Sequence, residues 1–586
     1  MRTFLFLLAL FASISSALAQ SRQPANPSTL PTTSPQEFDL LDKTGAWARF
    51  AAIDTAAHAV VGPGNVYNAV LYGADPTGVN DSCPAMLKIL GDHGSNLPAL
   101  GASLKFPAGK YRFLSNCLDV TNKPIAYLGD GAGVTWFYFT TTSAGITVSN
   151  TSNRYPIIFK DLQILTAVVQ PTNAAIYVNV DISLRNAGGP GAIFEDLMIG
   201  NWGNTTTYWR YGIHCNGCNN AFAKNVKIWG MSVITPTGVD AANNMKAGFL
   251  VTGESQAFAK FYDYVELADV GEEAAGDVEG APEFGNQFIG VNYGWIYHSG
   301  SYGDPTSGAD YPGPEIVNCN VAAWKAAYQQ FGWAVTVITG STIWRRNDNV
   351  QTYVAIGLYD GVFGGTTVGS VKNLITTNSI VGWNSGDTST IQNTGISFGP
   401  NSVNNIVHDN FFKDFHRVFT FADGLAGPEY ISGNTAIGLP EMNPQAWSSA
   451  GFANCPVIVW EDNQPVLYGT TTTDAALPNN QGPLNAQTPC ITPGVAEGVR
   501  GVQGQRNFFT NNTSAATVVD IQGGYYGKEI TITGNDGGLT TIASNAVIAL
   551  RPGSGNVVLG NNQTLTLRRM GPTTGAYAWR EMARNF

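Results

Sequence analysis

Tyr72-Gly73-Ala74-Asp75-Pro76-Thr77-Gly78-Val79-Asn80-Asp81-Ser82 decides how this chain begins to fold. Gly73, Asp75-Pro76 and Thr77-Gly78 interrupt any continuous element and mark a turn. The run before it, Val66 to Tyr72, is β-prone, and the stretch after it, Pro84 to Leu90, carries apolar residues at helical spacing. Then comes Ser103-Leu104-Lys105-Phe106-Pro107-Ala108-Gly109-Lys110-Tyr111. The order is strand, turn, helix, strand.

Further along, a short phrase of Asp or Asn, apolar, variable, apolar recurs. It reads Asp161-Leu162-Gln163-Ile164, Asp196-Leu197-Met198-Ile199 and Asn225-Val226-Lys227-Ile228, and more loosely Asn318-Cys319-Asn320-Val321 and Asn434-Thr435-Ala436-Ile437. Tyr264-Val265-Glu266-Leu267 fits with its first position substituted. Irregular intervals between copies imply loops inserted between strands. A solenoid that stacks each short strand on its copy one coil away needs this pattern, because inward positions become aliphatic ladders and turn positions become Asn or Asp ladders.

The opening segments, with Tyr127-Leu128-Gly129-Asp130-Gly131, resemble the start of the pectate-lyase-like, right-handed parallel β-helix superfamily, which includes polysaccharide lyases, glycoside hydrolases and phage tailspike depolymerases. Ser82-Cys83 stands where those proteins often carry an acidic residue and Thr. The resemblance implies an all-β chain, a right-handed parallel β-helix solenoid with an N-terminal helical cap and a small C-terminal β-rich tail. The expected layout is a signal peptide at 1–19, a leader and short helical segment at 20–60, the β-helix at 61–440, a linker or long loop at 441–500 and a capping region at 501–586. The tail resembles that of tailspike-like members and implies a homotrimer. The active-site phrases of the best-studied members are absent: there is no Asp-Asp pair, no Gly-His-Gly, no Arg-x-Lys and no Trp-x-Asp-His.

Composition agrees with a β-rich architecture. Only 12% of the 586 residues are charged, against 67 Gly, 29 Phe, 23 Tyr and 13 Trp, which argues against helical bundles and disorder. The net charge of −11 disfavours nucleic acid as a partner. Arg2, the apolar run Phe4 to Ala12 and Ala17-Leu18-Ala19 read as a cleaved export signal, so the expected location is secreted or periplasmic, with no membrane span. Of seven Cys, Cys83 with Cys117 and Cys455 with Cys490 are candidates for local disulfide pairs, and Cys215-x-x-Cys218 is half of a metal site and reads as structural. Asn204 and Asn511 open glycosylation sequons.

For chemistry, the stretch 261–283 stands out: Asp263, Glu266, Asp269, Glu272, Glu273, Asp277, Glu279 and Glu283 fall together in a chain poor in charge. Glycoside hydrolysis needs two carboxylates held at different pKa values. The repeat register places Glu266 outward beside Lys227 and Asp269 at the end of its strand. The expected enzyme is therefore a glycoside hydrolase with Glu266 and Asp269 as the pair and Asp263 or Glu273 as helper. A solvated acidic loop or a calcium ion is the competing reading of the same carboxylates. Trp295 and Tyr297 are candidates for stacking on sugars, and Arg345 and Arg346 for binding acidic groups. A polysaccharide lyase using His298 or Tyr297 as base is the alternative, and a non-catalytic glycan-binding solenoid is the third. His408 and His416 lie in an Asn-rich stretch that reads as a ladder. No cofactor motif is present.

Overall fold

The computed structural model describes residues 66–98, 101–142, 145–152, 155–184, 191–203, 206–231, 234–235, 237–276, 278–298, 312–346, 351–363, 365–382, 393–415, 417–422, 429–438, 458–461, 464–467, 481–484, 499–501, 507–510, 515–518, 520–522, 527, 529–570 and 579–586. The signal peptide, the leader helix, Cys455 with Cys490, His416 and both sequon asparagines lie outside these residues.

Each coil lays down up to three strands, and each strand pairs in parallel with its counterpart one coil on. On the first face, Ile125–Leu128 pairs with the start of Ile157–Thr166, and the ladder runs through Phe222–Lys224, Ala259–Phe261 and Pro282–Phe284 to Ile458–Glu461. The second face runs from Gly109–Phe113 through Thr135–Phe139, Lys227–Trp229 and Tyr264–Glu266 to Gln464–Leu467. On the third face Val169–Val180, Tyr208–Asn216, Ala247–Thr252, Val270–Ala275, Gln287–His298, Asn320–Phe331 and Val354–Tyr359 follow one another. Pairing thus passes residue 440 and continues into the segment expected to be a linker. Pro- and Thr-rich composition there conceals the two short strands that extend the solenoid, Ile458–Glu461 and Gln464–Leu467.

The corner between the first and second faces explains the recurring phrase. Asp161, Asp196, Asn225, Tyr262, Asn318, Thr377 and Asp409 all have φ between 52° and 59°, and Gly285, Gly340 and Gly433 take the same place on other coils. Asn and Asp tolerate this left-handed conformation better than other residues with a Cβ, and Gly tolerates it best. The next residue points inward; it is aliphatic on the early coils (Leu162, Leu197, Val226), and on later coils a polar side chain there, such as that of Asp263 or Asn286, accepts a backbone N–H of the preceding coil's corner. Asp263 accepts from Val226 N at 2.7 Å, Asn286 from Asp263 N at 2.9 Å, and Asn410 from Asn378 N at 3.0 Å. In the fourth coil of this series the corner residue is Tyr262, so the phrase starts two residues before Tyr264. Consequently Tyr264 pairs with Lys227, and Glu266 pairs with Trp229 rather than lying beside Lys227.

Inside, rings stack coil on coil: Tyr127 lies 4.9 Å from Phe159, and Phe159 lies 5.8 Å from Phe194. The helix Cys83–Leu90 contributes Met86, Ile89 and Leu90 to the same core. Asp75 fixes the turn ahead of it by accepting from the Thr77 hydroxyl and from the backbone N–H groups of Asn80 and Thr77, which holds its carboxyl down at about 2. The Cys83–Cys117 disulfide is present, and closing a loop of 34 residues contributes about 3–4 kcal/mol on chain-entropy grounds. Cys215 and Cys218 are free and buried in the core. Beyond the β-helix, Glu529–Thr533, Thr564–Arg569 and Trp579–Asn585 pair antiparallel around Ile530, Ile532, Leu565, Leu567 and Trp579. Among the described residues no helix is long and apolar enough to cross a membrane.

One buried acid gives the fold a pH dependence. Asp119 accepts from Thr147 N at 2.8 Å, yet burial pushes its carboxyl up from 3.8 to about 6. The folded chain therefore binds more protons between these values, and this residue's contribution to stability falls as pH rises through the window. Asp119→Asn keeps the acceptor and is expected to add up to about 3 kcal/mol above pH 6 and nothing below pH 3.8. Denaturant midpoints of both proteins at pH 3.5 and pH 8 check this, and equal gains at both pH values would contradict it.

Candidate functional site

The third face bends away from the second at a column of small residues. A Cβ on Gly271 would lie 2.4 Å from the Phe288 ring, and one on Gly294 would lie 2.3 Å from the Ala327 carbonyl oxygen. Past that bend, Leu250, Glu273 and Ile296 share one outward column, and Thr252, Ala275 and His298 share the next. Glu273 sits between two basic groups: His298 Nε2 lies 3.0 Å from its Oε1, and Lys246 Nζ lies 3.5 Å from its Oε2. Burial raises the Glu273 carboxyl, but His298 and Lys246 outweigh that and hold it below its ordinary value. Lys246 also reaches Asp269 at 3.0 Å, and Asn292 donates to the other Asp269 oxygen at 2.8 Å.

His298 is the open member of this group, with 42% of its side chain exposed against 15% for Glu273. If Nε2–H is donated to Glu273, Nδ1 keeps the lone pair and can act as a base. Trp333 Nε1 donates to the His298 carbonyl at 3.0 Å and fixes the backbone. The imidazole stacks at 5.9 Å on Phe331, which lies 5.6 Å from Tyr359, so flat groups line successive rungs along the axis. Leu250, Val270 and Ile296 pack with Tyr211, Tyr293 and Phe331 beside them. Burial and the nearby Asp269 raise the Tyr293 phenol, which keeps its proton.

Three carboxylates of the acidic segment, Asp263, Glu272 and Glu283, face inward. Lys260 Nζ, fully buried, lies 3.0 Å from Glu272 Oε1 and 2.7 Å from Glu283 Oε1. Tyr297 donates to Glu272 at 3.0 Å, and Asn286 donates to Glu283 at 2.6 Å. Burial pushes the Glu283 and Asp263 carboxyls well above the ordinary carboxylate range, against the pull of the nearby Lys260. Among the described residues no group of three or more His, Cys, Asp or Glu is arranged to hold a metal ion.

The chain thus has three parallel faces, a left-handed corner between the first two and a polar ladder beneath that corner. The fold is a parallel β-helix solenoid. No protein-family model matches the chain, and no curated protein does. Among solved structures it is similar to the A-module of mannuronan C-5 epimerase AlgE6 from Azotobacter vinelandii, at 14% identity over 69% of this chain and 100% of that one, with a TM-score of 0.43. It is also similar to tailspike protein 3 of bacteriophage CBA120, at 12% identity over 81% and 70% of the two chains and a TM-score of 0.44. The N-terminal fragment of bacteriophage phi29 gene product 12 gives 12% identity over 80% and 85%, with a TM-score of 0.44.

Within this β-helix the residues singled out from sequence separate. Asp263, 1% exposed, is a rung of the corner ladder, so it cannot reach a substrate as a catalytic helper. Trp295 and Tyr297, 1% and 0% exposed, are core residues: Trp295 packs 4.5 Å from Phe288, and neither can stack on a sugar. Two inward positions fall on that strand where bulky residues fill the core, which the aromatic run alone did not reveal. Arg345 is buried, so it is not placed to anchor acidic groups, whereas Arg346 is half-buried with its guanidinium 4.9 Å from the Trp324 ring. Glu266 lies on the second face and Asp269 at the start of the third, and Asp269 has both oxygens engaged. Glu273 and His298 are brought together. Sequence reasoning missed Lys246, whose signal is only that a scarce Lys precedes a strand one coil before the acidic one.

Proposed function

We propose that this β-helix is an enzyme acting on an acidic polysaccharide, and that it begins by removing the proton next to a sugar carboxylate. The observation that supports this most is His298, half-exposed and hydrogen-bonded to a Glu273 that also contacts Lys246. In this reading Lys246 neutralises the substrate carboxylate, which lowers the cost of forming a carbanion beside it. His298 takes the proton from the adjacent carbon, the electron pair forms a double bond, and the neighbouring C–O bond breaks. The proton then passes from the imidazole to the departing glycosidic oxygen, leaving an unsaturated sugar and a new reducing end. Phe331 and Tyr359 supply flat surface along the path of the chain.

Hydrolysis by Glu266 with Asp269 is the second reading, supported by the half-buried, outward Glu266. The bidentate fixing of Asp269 weighs against it. Two comparisons separate the readings. Glu266→Gln should leave the rate on polygalacturonate or alginate within about threefold of wild type under proton abstraction. Carboxyl-reduced copies of the same polymers should not react at all. Full turnover of the reduced polymers, with loss of activity in Glu266→Gln, would overturn the proposal in favour of hydrolysis.

A further inference from the structure

On the second face, a coil row distant in sequence from His298 carries a cluster that the proposed chemistry does not use. Trp136 and Tyr138 are both outward positions of Thr135–Phe139, and both are half-buried. Trp202, at the end of the next but one coil's strand, packs 5.2 Å from Trp136 and 5.1 Å from Tyr138. Lys110 Nζ sits 3.7 Å from the Trp202 ring centroid and 4.4 Å from that of Tyr138. Arg112, one outward position along from Lys110, bonds only to neutral oxygens, Val79 O at 3.3 Å and Thr140 Oγ1 at 3.5 Å. Neither Lys110 nor Arg112 makes an ion pair among the described residues, in a chain with net charge −11.

The row continues along the axis. Tyr138, Leu165, Gly200, Trp229 and Glu266 occupy one outward column. At Gly200 an added Cβ would lie 2.0 Å from the Trp229 ring, so the indole lies over the glycine against the sheet. Any side chain there would lift the ring. Rungs of a parallel sheet are about 4.8 Å apart, so Tyr138 and Trp229 are separated by about 14 Å, a distance on the scale of a short run of sugar rings. Ring faces set along a rigid column suit sugars, and two cations lacking carboxylate partners beside them suit an acidic chain.

We infer that this surface is a second, non-catalytic binding platform for an acidic polysaccharide, with Trp202, Tyr138 and Trp229 as stacking surface and Lys110 and Arg112 as contacts for sugar carboxylates. The inference stands on its own geometry and does not require turnover at His298. Affinity electrophoresis of the whole protein in gels containing polygalacturonate, alginate or neutral dextran tests it. Wild type should be retarded by the acidic polymers and not by dextran, and Trp202→Ala and Lys110→Met should each lower the apparent affinity at least about fivefold. Lys110→Met lies on the surface and keeps the fold even if Trp202→Ala does not. Retardation unchanged in both platform variants, or no preference of wild type for acidic polymers over dextran, would overturn the inference.

Discussion

His298→Gln should lower turnover of an acidic polysaccharide by about 10²- to 10⁴-fold, the usual contribution of a positioned acid–base group, while its denaturation midpoint stays that of wild type. The side chain is 42% exposed, so its removal opens no cavity in the core. Glu273→Gln should act through the imidazole. It removes the charge that orients Nε2 and leaves Lys246 with Asp269 alone, so a smaller loss is expected together with a shifted pH–rate profile. A Glu273 variant with an unchanged profile would show that the carboxylate only braces the surface.

The largest stability effect is expected at Lys260. Replacing it with Met leaves the buried Glu272 without its counter-ion, and Glu272 Oε2 already lacks a hydrogen-bond partner. Breaking a buried pair from one side costs about 3–5 kcal/mol. The stranded carboxylate escapes part of that penalty by taking up a proton, so its pKa rises in the folded variant. A raised carboxyl adds stability at low pH that is lost as pH climbs, hence the deficit of Lys260→Met should shrink in acid and grow towards neutrality. Replacing Lys260, Glu272 and Glu283 together with apolar residues of similar volume should recover most of the loss, because the desolvation cost of the whole buried cluster disappears with it. Urea unfolding of the single and triple variants at two pH values measures both effects, and a deficit independent of pH would contradict the ionised-pair description.

How much of this is legible in the sequence depends on which residues carry the signal. The turn at Asp75, the helix after it and the repeated phrase from Asp161 onward foretold the solenoid, because corner residues need a left-handed backbone and so select Asn, Asp or Gly. The Cys83–Cys117 bridge followed from proximity in sequence. Register was the weak point. Tyr262 occupies a corner where the phrase predicts Asn or Asp, and that one substitution hid the true start of the repeat and displaced Glu266 by two residues against its neighbour. The site was only half legible for the same reason. The acidic stretch 261–283 was visible as charge, but alternation along Val270–Ala275 sends Glu272 inward to Lys260 and Glu273 outward to His298. A period of two turns a cluster in sequence into two separate networks in space. Lys246 was invisible because its partners lie 23 and 27 residues on and meet it only through the coil.

The most direct test of the catalytic reading follows reducing ends and near-ultraviolet absorbance together while the protein acts on polygalacturonate and alginate, with wild type and His298→Gln side by side. The account predicts that both signals rise in step for wild type on at least one of these polymers and that both are lost in the variant. Reducing ends that appear without absorbance, at the same rate in His298→Gln, would contradict it and return the chemistry to the carboxylates.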